Sequence, residues 1–297
     1  MYDEILVPTD GSESAERAVQ YGVVLAGAFD ARVHVLSVVD ERDYDRAVVG
    51  GEEAMQQGVD AATTAAEEAV AAVAERVAGD VTTRVTVGVP SEAILDYVET
   101  EGIDLVAMAT HGRTGVERFV IGSVTEKVVR RATVPVLTVR VSDRLPSWPP
   151  LDRVLVPTDG SDASLSALPN ALAVAERFDA TVEGLYVVDE RTKSTFYNVG
   201  TALEDVVGGL ETAAETATTR IETAARERGV DASSAVVEGL PSAAICSHAA
   251  ESGADLVVMA SHGRTGLAHY LLGSVAERVV RNATVPVLIT PVRDVDG

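Results

Sequence analysis

The sequence predicts two tandem α/β domains, each a Rossmann-like, five-stranded parallel sheet with helices on both faces. The first indication is an internal repeat. Pro-Thr-Asp-Gly-Ser stands at 8–12 and 157–161, and His-Gly-Arg-Thr-Gly at 111–115 and 262–266. The second is the alternation of short apolar runs with helical patterns in both copies, which is typical of sheets built from β–α units. The third is that the apolar runs scarcely alternate with polar residues, as in strands buried on both faces.

The first strand and helix are predicted from an apolar run and a cap. Residues 2–7 are mostly apolar, and the Pro-Thr-Asp-Gly-Ser loop ends this run. Ser12 can accept a hydrogen bond from the first turn of the following helix. The apolar residues of that helix recur at helical spacing as far as Phe29. A second apolar run at 33–39 predicts the second strand.

The remainder of the first copy continues the same order. Residues 52–78 are rich in alanine and glutamate, which favours a helix. Pro90 and Ser91 are suited to the start of another helix. Periodicity predicts the other elements as strands at 81–87, 103–108 and 134–139 and helices at 90–101 and 123–131. The second copy repeats this order between 153 and 291.

The chain is long enough for two hydrophobic cores. Its 297 residues suit two domains of about 140–150 residues each, which we place at 1–141 and 151–297. Residues 142–150 join them, and three prolines in this segment prevent a helix from running through it. We find no secretory signal and no apolar run of the ~20 residues that a membrane span needs. We therefore expect a soluble, cytoplasmic protein.

The charge of the chain disfavours several classes of partner. There are 46 acidic and 24 basic side chains, for a net charge of −22, and only Lys127 and Lys193 are lysines. High salt screens the repulsion within so acidic a surface, so we expect a halophilic archaeal source. The same charge disfavours nucleic acid, which needs a basic stripe, and an anionic membrane surface. The single cysteine, Cys246, excludes an intramolecular disulfide.

The strongest local signal is a glycine-rich loop present in both copies. Glycine, nine residues and Gly-Ser stand at 112–123 and again at 263–274. Glycine lets a backbone approach a ligand closely and adopt positive φ. The N–H groups of Ser123 and Val124 at a helix start, together with the Ser123 hydroxyl, would form an anion site. Arg113 and Arg264 add positive charge, so the pattern predicts a phosphate cradle in each copy.

The loop after the first strand predicts a different subsite. The Walker pattern Gly-x-x-x-x-Gly-Lys-Ser/Thr occurs nowhere, and no Gly-x-Gly-x-x-Gly follows the first strand. Pro8, Thr9 and Val38 offer an apolar floor, and Asp10 can accept from an amino or hydroxyl group. We therefore expect this loop to hold a base or a ribose. Ligands of such sheets bind beyond the carboxyl ends of the strands, where the winding reverses.

Together these residues resemble the universal stress protein (UspA-type) family. The shared segments are Pro-Thr-Asp-Gly-Ser after strand one, Val-Val-Asp after strand two, and Met-Ala-Thr-His-Gly-Arg-Thr-Gly followed by Gly-Ser-Val-Thr-Glu-Lys-Val. The resemblance covers 1–141 and 151–292. The nucleotide-binding branch of that family has Gly-x-x-Gly, nine residues and Gly-Ser/Thr, and it binds ATP. Here Ala109 and Ala260 replace the first glycine, and the rest of the pattern is intact.

The resemblance implies which residues contact ATP. In the first copy the base and ribose would lie near Pro8, Thr9, Asp10, Val38 and Ala109, and the phosphates near His111, Gly112, Arg113, Gly122, Ser123, Val124 and Thr125. In the second copy the matching residues are Pro157, Thr158, Asp159, Val187, Ala260, His262, Gly263, Arg264, Gly273, Ser274 and Val275. Ala276 stands where the first copy has Thr125, so we expect the first site to bind more tightly.

The resemblance also implies how the protein acts. Family members associate through the last strand, which implies an internal pseudo-dimer or a homodimer through 134–139 and 285–290. We expect a nucleotide-dependent regulator of a stress response, with Mg²⁺ or Mn²⁺ accompanying the ATP and an unknown protein as partner. No Ser-His-Asp arrangement accompanies the loop histidines, so we expect a protein that is not an enzyme. Two alternatives remain open, a nucleotide-free protein-interaction module and a slow ATPase.

Overall fold

The computed structural model describes six stretches of the chain, which are residues 1–42, 51–111, 121–140, 151–191, 203–263 and 272–292. Three predicted site residues, Gly112, Arg113 and Arg264, lie outside these stretches, as does the whole predicted linker, 142–150. The chain divides into two compact units, Met1–Asp143 and Arg144–Gly297. In the described stretches no helix has the length and apolar character needed to cross a membrane.

The described residues of the first unit form five parallel strands with helices between them. In chain order the elements are β1 (Glu4–Pro8), α1 (Glu13–Phe29), β2 (Arg32–Asp40), α2 (Gly51–Ala74), β3 (Val81–Gly88), α3 (Pro90–Thr100), β4 (Leu105–Ala109), α4 (Ser123–Arg131) and β5 (Val136–Val139). The strands lie in the order β3-β2-β1-β4-β5. The winding therefore reverses between β1 and β4.

The strands of the second unit follow the same order, β8-β7-β6-β9-β10. Its elements are β6 (Arg153–Thr158), α5 (Asp162–Leu165), α6 (Leu168–Phe178), β7 (Thr181–Asp189), α7 (Leu203–Glu227), β8 (Ala232–Gly239), α8 (Pro241–Glu251), β9 (Leu256–Ala260), α9 (Ser274–Asn282) and β10 (Val287–Thr290). The predicted fold class, two tandem Rossmann-like α/β domains, is confirmed.

Helix α1 begins where its cap predicts. The Ser12 Oγ accepts a hydrogen bond from the Ala15 N–H at 3.2 Å. Glu13 and Glu16 lie in the first turn, where a negative charge stabilises the positive end of the helix. The helix ends at Phe29, and the C-cap residue Asp30 has a left-handed φ of 58°. The predicted cap is confirmed.

The equivalent helix of the second unit is broken, which the repeat does not predict. Pro169 stands where the first copy has Gln20, in the middle of the helical pattern. Proline lacks the N–H needed for the helical ladder, and its ring clashes with the carbonyl of the preceding turn. The helix therefore stops at Leu165, and α6 begins at Leu168 with the proline in its first turn, where proline is tolerated.

The strands beneath the loops are buried on both faces, as predicted. In β2, residues 33–37 are all buried, and every residue of β4 is buried. By contrast β3, at the end of the strand order, is largely exposed or half-buried. β2 and β4, which lie on either side of β1, thus form a largely apolar base, and the loops at their carboxyl ends are supported by a well-packed core.

Candidate functional site

A cavity of about 290 Å³ opens at the carboxyl ends of β1, β2 and β4 in the first unit. This is where the winding of the sheet reverses, the usual ligand position in open α/β sheets. The described site residues predicted for the first copy all line it: Pro8, Thr9, Asp10, Val38, Ala109, His111, Gly122, Ser123, Val124 and Thr125. The structure thus brings the two predicted loops to one cavity, and their contact with a nucleotide stays a prediction.

Several lining residues were not predicted from the sequence. The lining also includes Ala15, Leu36, Ser37, Val39, Asp40, Ala62, Ala66, Pro90, Ile94 and Met108. Half of them come from α1, α2 and α3, whose approach to the strand ends depends on tertiary packing. Asp40 could have been found from the sequence, because the segment Val-Val-Asp-Glu-Arg at 38–42 is repeated at 187–191.

The loop after β1 is held in shape by its own side chains. The Thr9 Oγ1 accepts from the Gly11 N–H at 3.2 Å, and the Asp10 Oδ1 accepts from the Ser12 N–H at 3.0 Å. Gly11 has a φ of 75°, a left-handed conformation that glycine adopts without steric cost. These bonds fix Asp10 at the cavity wall, next to the apolar residues of β2.

The start of α4 supplies the other polar part of the cavity. Gly122 is the N-cap, and no side chain caps the helix there. Ser123 is therefore the first helical residue, and its N–H and that of Val124 have no partner within the helix. The Gly122 N–H donates to the Thr110 carbonyl at 2.7 Å, which ties the helix start to the end of β4.

The reason for glycine at the helix start differs from the predicted one. Gly122 and Gly273 have φ values of −59° and −62°, so the expectation of positive φ at these two positions is wrong. Instead, a Cβ at either glycine would lie 3.1 Å from a backbone carbonyl oxygen, that of Thr110 or Ser261. Glycine is needed because the helix start packs against the end of the strand. Replacing either glycine by valine would therefore disturb the packing of the loop, so such a variant would not test ligand binding by itself.

Thr125 does not offer its hydroxyl to a phosphate as a donor. Its side chain is buried, and its Oγ1 donates to the Ala109 carbonyl at 2.7 Å. The expectation that this hydroxyl contacts phosphate is therefore corrected, because its proton is already engaged with the backbone. The difference between Thr125 and Ala276 consequently gives no reason to rank the two sites.

His111 lies between the strand end and the helix start. Its Nδ1 is 2.9 Å from the Thr110 Oγ1. Its Nε2 is buried and has no hydrogen-bond partner among the described residues. In the second unit His262 makes the matching contact, with its Nδ1 3.1 Å from the Ser261 Oγ. The loop histidines are thus oriented by neighbouring hydroxyl groups, which leaves Nε2 of His111 for a ligand atom.

The predicted residues of the second copy occupy the same places in their own unit. Pro157 and Thr158 end β6, Val187 lies near the end of β7, and Ala260 ends β9. Gly273 is the uncapped N-cap of α9, followed by Ser274 and Val275. The Asp159 Oδ1 accepts from both the N–H and the Oγ of Ser161, at 3.0 and 2.6 Å. A Cβ at Gly263 would collide with the Asp159 carboxylate, so glycine is required for this close approach.

An ion pair follows the second strand in each unit. The Arg42 guanidinium donates to both carboxylate oxygens of Asp40, at 2.7 and 2.5 Å. Arg191 does the same to Asp189, from Nε at 3.0 Å and Nη2 at 2.6 Å. Hydrogen bonds from Arg191 hold the pKa of Asp189 below its ordinary value. Since Asp40 lines the cavity, the pair in the first unit marks its outer rim.

Two α/β units, each built on parallel strands, define a tandem α/β protein, and the first unit has a cavity where its winding reverses. The sequence model of the Universal stress protein family matches residues 1–140 and 150–291. The chain therefore belongs to the universal stress protein family, as its motifs predict.

Similar proteins match either one copy or nearly the whole chain. A universal stress protein of Methanocaldococcus jannaschii is 40% identical over 139 residues, which are 46% of this chain and 80% of that protein. Another from the same organism is 30% identical over 155 residues, 47% of this chain and 96% of that protein. The crystal structure of a universal stress protein from Archaeoglobus fulgidus has a TM-score of 0.70 at 22% identity, covering 98% of this chain and 97% of that one. It shows the shared fold.

Proposed function

We propose that the first unit binds ATP with Mg²⁺ or Mn²⁺, and that its occupancy regulates the protein in a stress response. The observation that carries the proposal is the division of the cavity into two chemically different ends. At the ends of β1 and β2 lie apolar side chains and the Asp10 carboxylate. At the end of β4 lie the N–H groups at the start of α4. A nucleotide has this layout, with an apolar base that carries donors at one end and a polyanion at the other.

The base end suits a purine. Leu36, Val38 and Met108 provide apolar surface, and the Asp10 carboxylate can accept from an amino or ribose hydroxyl group. The cavity volume of about 290 Å³ is near the lower end of the range typical of small-molecule sites. A carboxylate disfavours the triphosphate at this end, because like charges repel.

The phosphate end suits an anion. The N–H groups of Ser123 and Val124 can donate to phosphate oxygens, and the helix dipole favours negative charge there. If the Thr110 hydroxyl donates to Nδ1 of His111, then Nε2 carries the proton and can donate as well. A hydrogen bond to a charged group contributes about 1.5–3 kcal/mol, so each donor at this end should change the affinity about tenfold or more.

A divalent ion would take its ligands largely from the nucleotide. In the described stretches no group of three or more histidine, cysteine, aspartate or glutamate side chains is placed to hold a metal. Mg²⁺ commonly keeps several waters and binds phosphate oxygens beside one or two carboxylates. We therefore propose that the ion enters with ATP rather than before it.

We propose binding without turnover. His111 contacts a threonine hydroxyl through Nδ1, whereas a general base of the triad type is oriented by a carboxylate or carboxamide. A slow ATPase would release phosphate from saturating ATP with a rate that depends on His111. Phosphate release measured beside binding separates the two functions, and a nucleotide-free interaction module would bind no ATP at all.

The proposal is tested by removing one N–H donor without disturbing the helix. Ser123 is the exposed first residue of α4, and Gly122 before it has φ −59° and ψ 143°. Proline is favoured at the first helical position, and it prefers an extended residue before it. Ser123→Pro therefore preserves the helix and deletes both the N–H and the hydroxyl. Calorimetry with ATP and Mg²⁺ in molar KCl should show an affinity about tenfold lower or more.

Ser123→Ala is the matched control, because it removes the hydroxyl and keeps the N–H. It should weaken binding less than Ser123→Pro does. Circular dichroism of each variant should match that of the wild type. An unchanged affinity of Ser123→Pro for ATP would remove the helix start from the site, and no heat from the wild type at millimolar ATP would leave the interaction module as the better account.

A further inference from the structure

The two units differ at a buried position beneath the site. Leu36 of β2 pairs with Pro8, and Leu185 of β7 pairs with Pro157 in the same register. The residue that follows each leucine is therefore equivalent in the two units. It is Ser37 in the first unit and Tyr186 in the second.

The small side chain of Ser37 forms part of the cavity wall in the first unit. Its side chain is buried, and it lines the cavity of the first unit together with Ala62 and Ala66 of α2. All three side chains are small, so the cavity extends between the end of β2 and the helix above it. The depth of the cavity at its base end thus depends on a hydroxymethyl group at position 37.

Tyr186 fills the corresponding space in the second unit. It is buried and packs in one cluster with Val188 of β7 and with Ala214 and Ala217 of α7. Ala217 stands as far before β8 as Ala66 stands before β3, so the two alanines are equivalent. The phenol ring therefore lies between strand and helix, where the first unit has part of its cavity.

A second difference between the units adds hydrogen bonds within the loop after β6. Ala15 lines the first cavity, and Ser164 is its equivalent. The Ser164 Oγ donates to the Ser161 carbonyl at 2.8 Å and lies 2.8 Å from the Thr158 Oγ1. Ser161 in turn donates to Asp159 through its N–H and its hydroxyl. A ligand amino or hydroxyl group would have to compete with these internal bonds.

We propose that Ser37 and Tyr186 decide which unit accepts a purine base, so that each chain binds one ATP, in the first unit. The inference rests on the proposed function. The helix starts do not discriminate, because Gly122 and Gly273 make the same hydrogen bond and are equally uncapped. Selection between the units therefore lies at the base end, where a ring replaces a small side chain.

The test combines stoichiometry with assignment to a unit. Calorimetry and native mass spectrometry with ATP and Mg²⁺ should give one ATP per wild-type chain. Ser123→Pro should weaken that binding, and Ser274→Pro, the same change in the second unit, should leave it unchanged. Ser37→Tyr should lower the affinity about tenfold or more, because a misplaced ring costs more than the single methylene that pockets already discriminate.

The outcomes separate the inference from the function on which it rests. Two ATP molecules per wild-type chain, with Ser274→Pro weakening one of them, would overturn the inference and leave ATP binding intact. No ATP bound to the wild type would overturn the proposed function itself. Circular dichroism shows whether Ser37→Tyr folds, and if it does not, the comparison of Ser123→Pro with Ser274→Pro still decides the question.

Discussion

At the residue scale, both units contain a part-buried contact between a histidine and a glutamate, but the two residue types stand at different positions in the two units. In the first unit, His34 of β2 has its Nε2 2.7 Å from the Glu4 carboxylate and its Nδ1 2.9 Å from the Tyr97 hydroxyl. In the second unit, Glu183 takes the position of His34 and accepts from His248 at 2.9 Å and from Arg153 at 3.3 Å. Both contacts lie at the amino-terminal side of the sheet, away from the cavity, and we assign them a structural role.

The contact in the second unit predicts a pH-dependent stability. Burial raises the pKa of Glu183, but hydrogen bonds and charge from His248 and Arg153 outweigh it, so the pKa lies below the ordinary 4.5. A carboxyl with a lowered folded-state pKa contributes stability above its unfolded pKa and loses it as the pH falls through the folded value. Glu183→Gln should therefore lower the free energy of unfolding by about 1–3 kcal/mol at pH 7. At a pH far below 4.5 the loss should be much smaller.

Denaturant unfolding at pH 7 and pH 3, in high salt, measures this difference. Glu215→Gln is the control, because Glu215 is exposed on α7 of the same unit and should change stability little at either pH. A loss of stability by Glu183→Gln that is equal at both pH values would show that the carboxylate charge does not stabilise the fold.

The sequence predicts which residues line the cavity better than it predicts what each of them contacts. The repeated loops identify both ends of the cavity, because short glycine-containing segments must follow strands that reach one edge of a parallel sheet. The role of the Thr125 hydroxyl could not be predicted, since its acceptor, the Ala109 carbonyl, becomes a neighbour only after folding. The pair of Glu4 and His34 is equally unpredictable, because the two residues meet only when β1 pairs with β2.

At the element scale, each unit has one loop after its first strand, and the two loops differ in how many hydrogen bonds their capping serine makes. Ser12 caps α1 through one bond to the Ala15 N–H. Ser161 caps the short α5 through the Ser164 N–H at 3.1 Å, and its hydroxyl also donates to Asp159. The second loop is thus reinforced where Pro169 has broken the helix behind it.

These caps predict a ranked loss of stability. Replacing a capping serine by alanine costs about 0.5–2 kcal/mol. Ser12→Ala should lie within that range, and Ser161→Ala should cost more, because it also leaves Asp159 without one of its donors. Urea unfolding in molar KCl measures both variants. A smaller loss for Ser161→Ala than for Ser12→Ala would contradict the roles assigned to the two hydroxyls.

Element bounds follow from sequence patterns except where one residue overrides the repeat. The predicted strands and helices of the first copy agree with the structure to within a few residues, because caps, prolines and apolar runs mark them locally. The break after Leu165 does not follow from the repeat. It follows from Pro169, whose effect on the backbone outweighs the helical periodicity around it.

At the scale of the whole molecule, the acidic composition predicts folding that depends on salt. With 46 acidic and 24 basic side chains, repulsion between carboxylates remains after all ion pairing. The Debye length falls to about 3 Å at 1 M salt, so the midpoint of thermal unfolding should rise with KCl concentration up to the molar range. Scanning calorimetry in 0.05 to 2 M KCl, at fixed protein concentration, measures the effect. Full stability and monodispersity at the lowest salt would count against the expected halophilic origin.

The central claim is that an adenine nucleotide occupies the cavity between the β1 loop and the start of α4. It is tested most directly by photolabelling with 8-azido-ATP in molar KCl, followed by mass-spectrometric mapping of the labelled peptides. We expect the label in peptides that contain the first-unit cavity lining, from 8–12 or 36–40, and its loss when unlabelled ATP is added in excess. Labelling confined to other segments, or labelling that excess ATP does not suppress, would contradict the account.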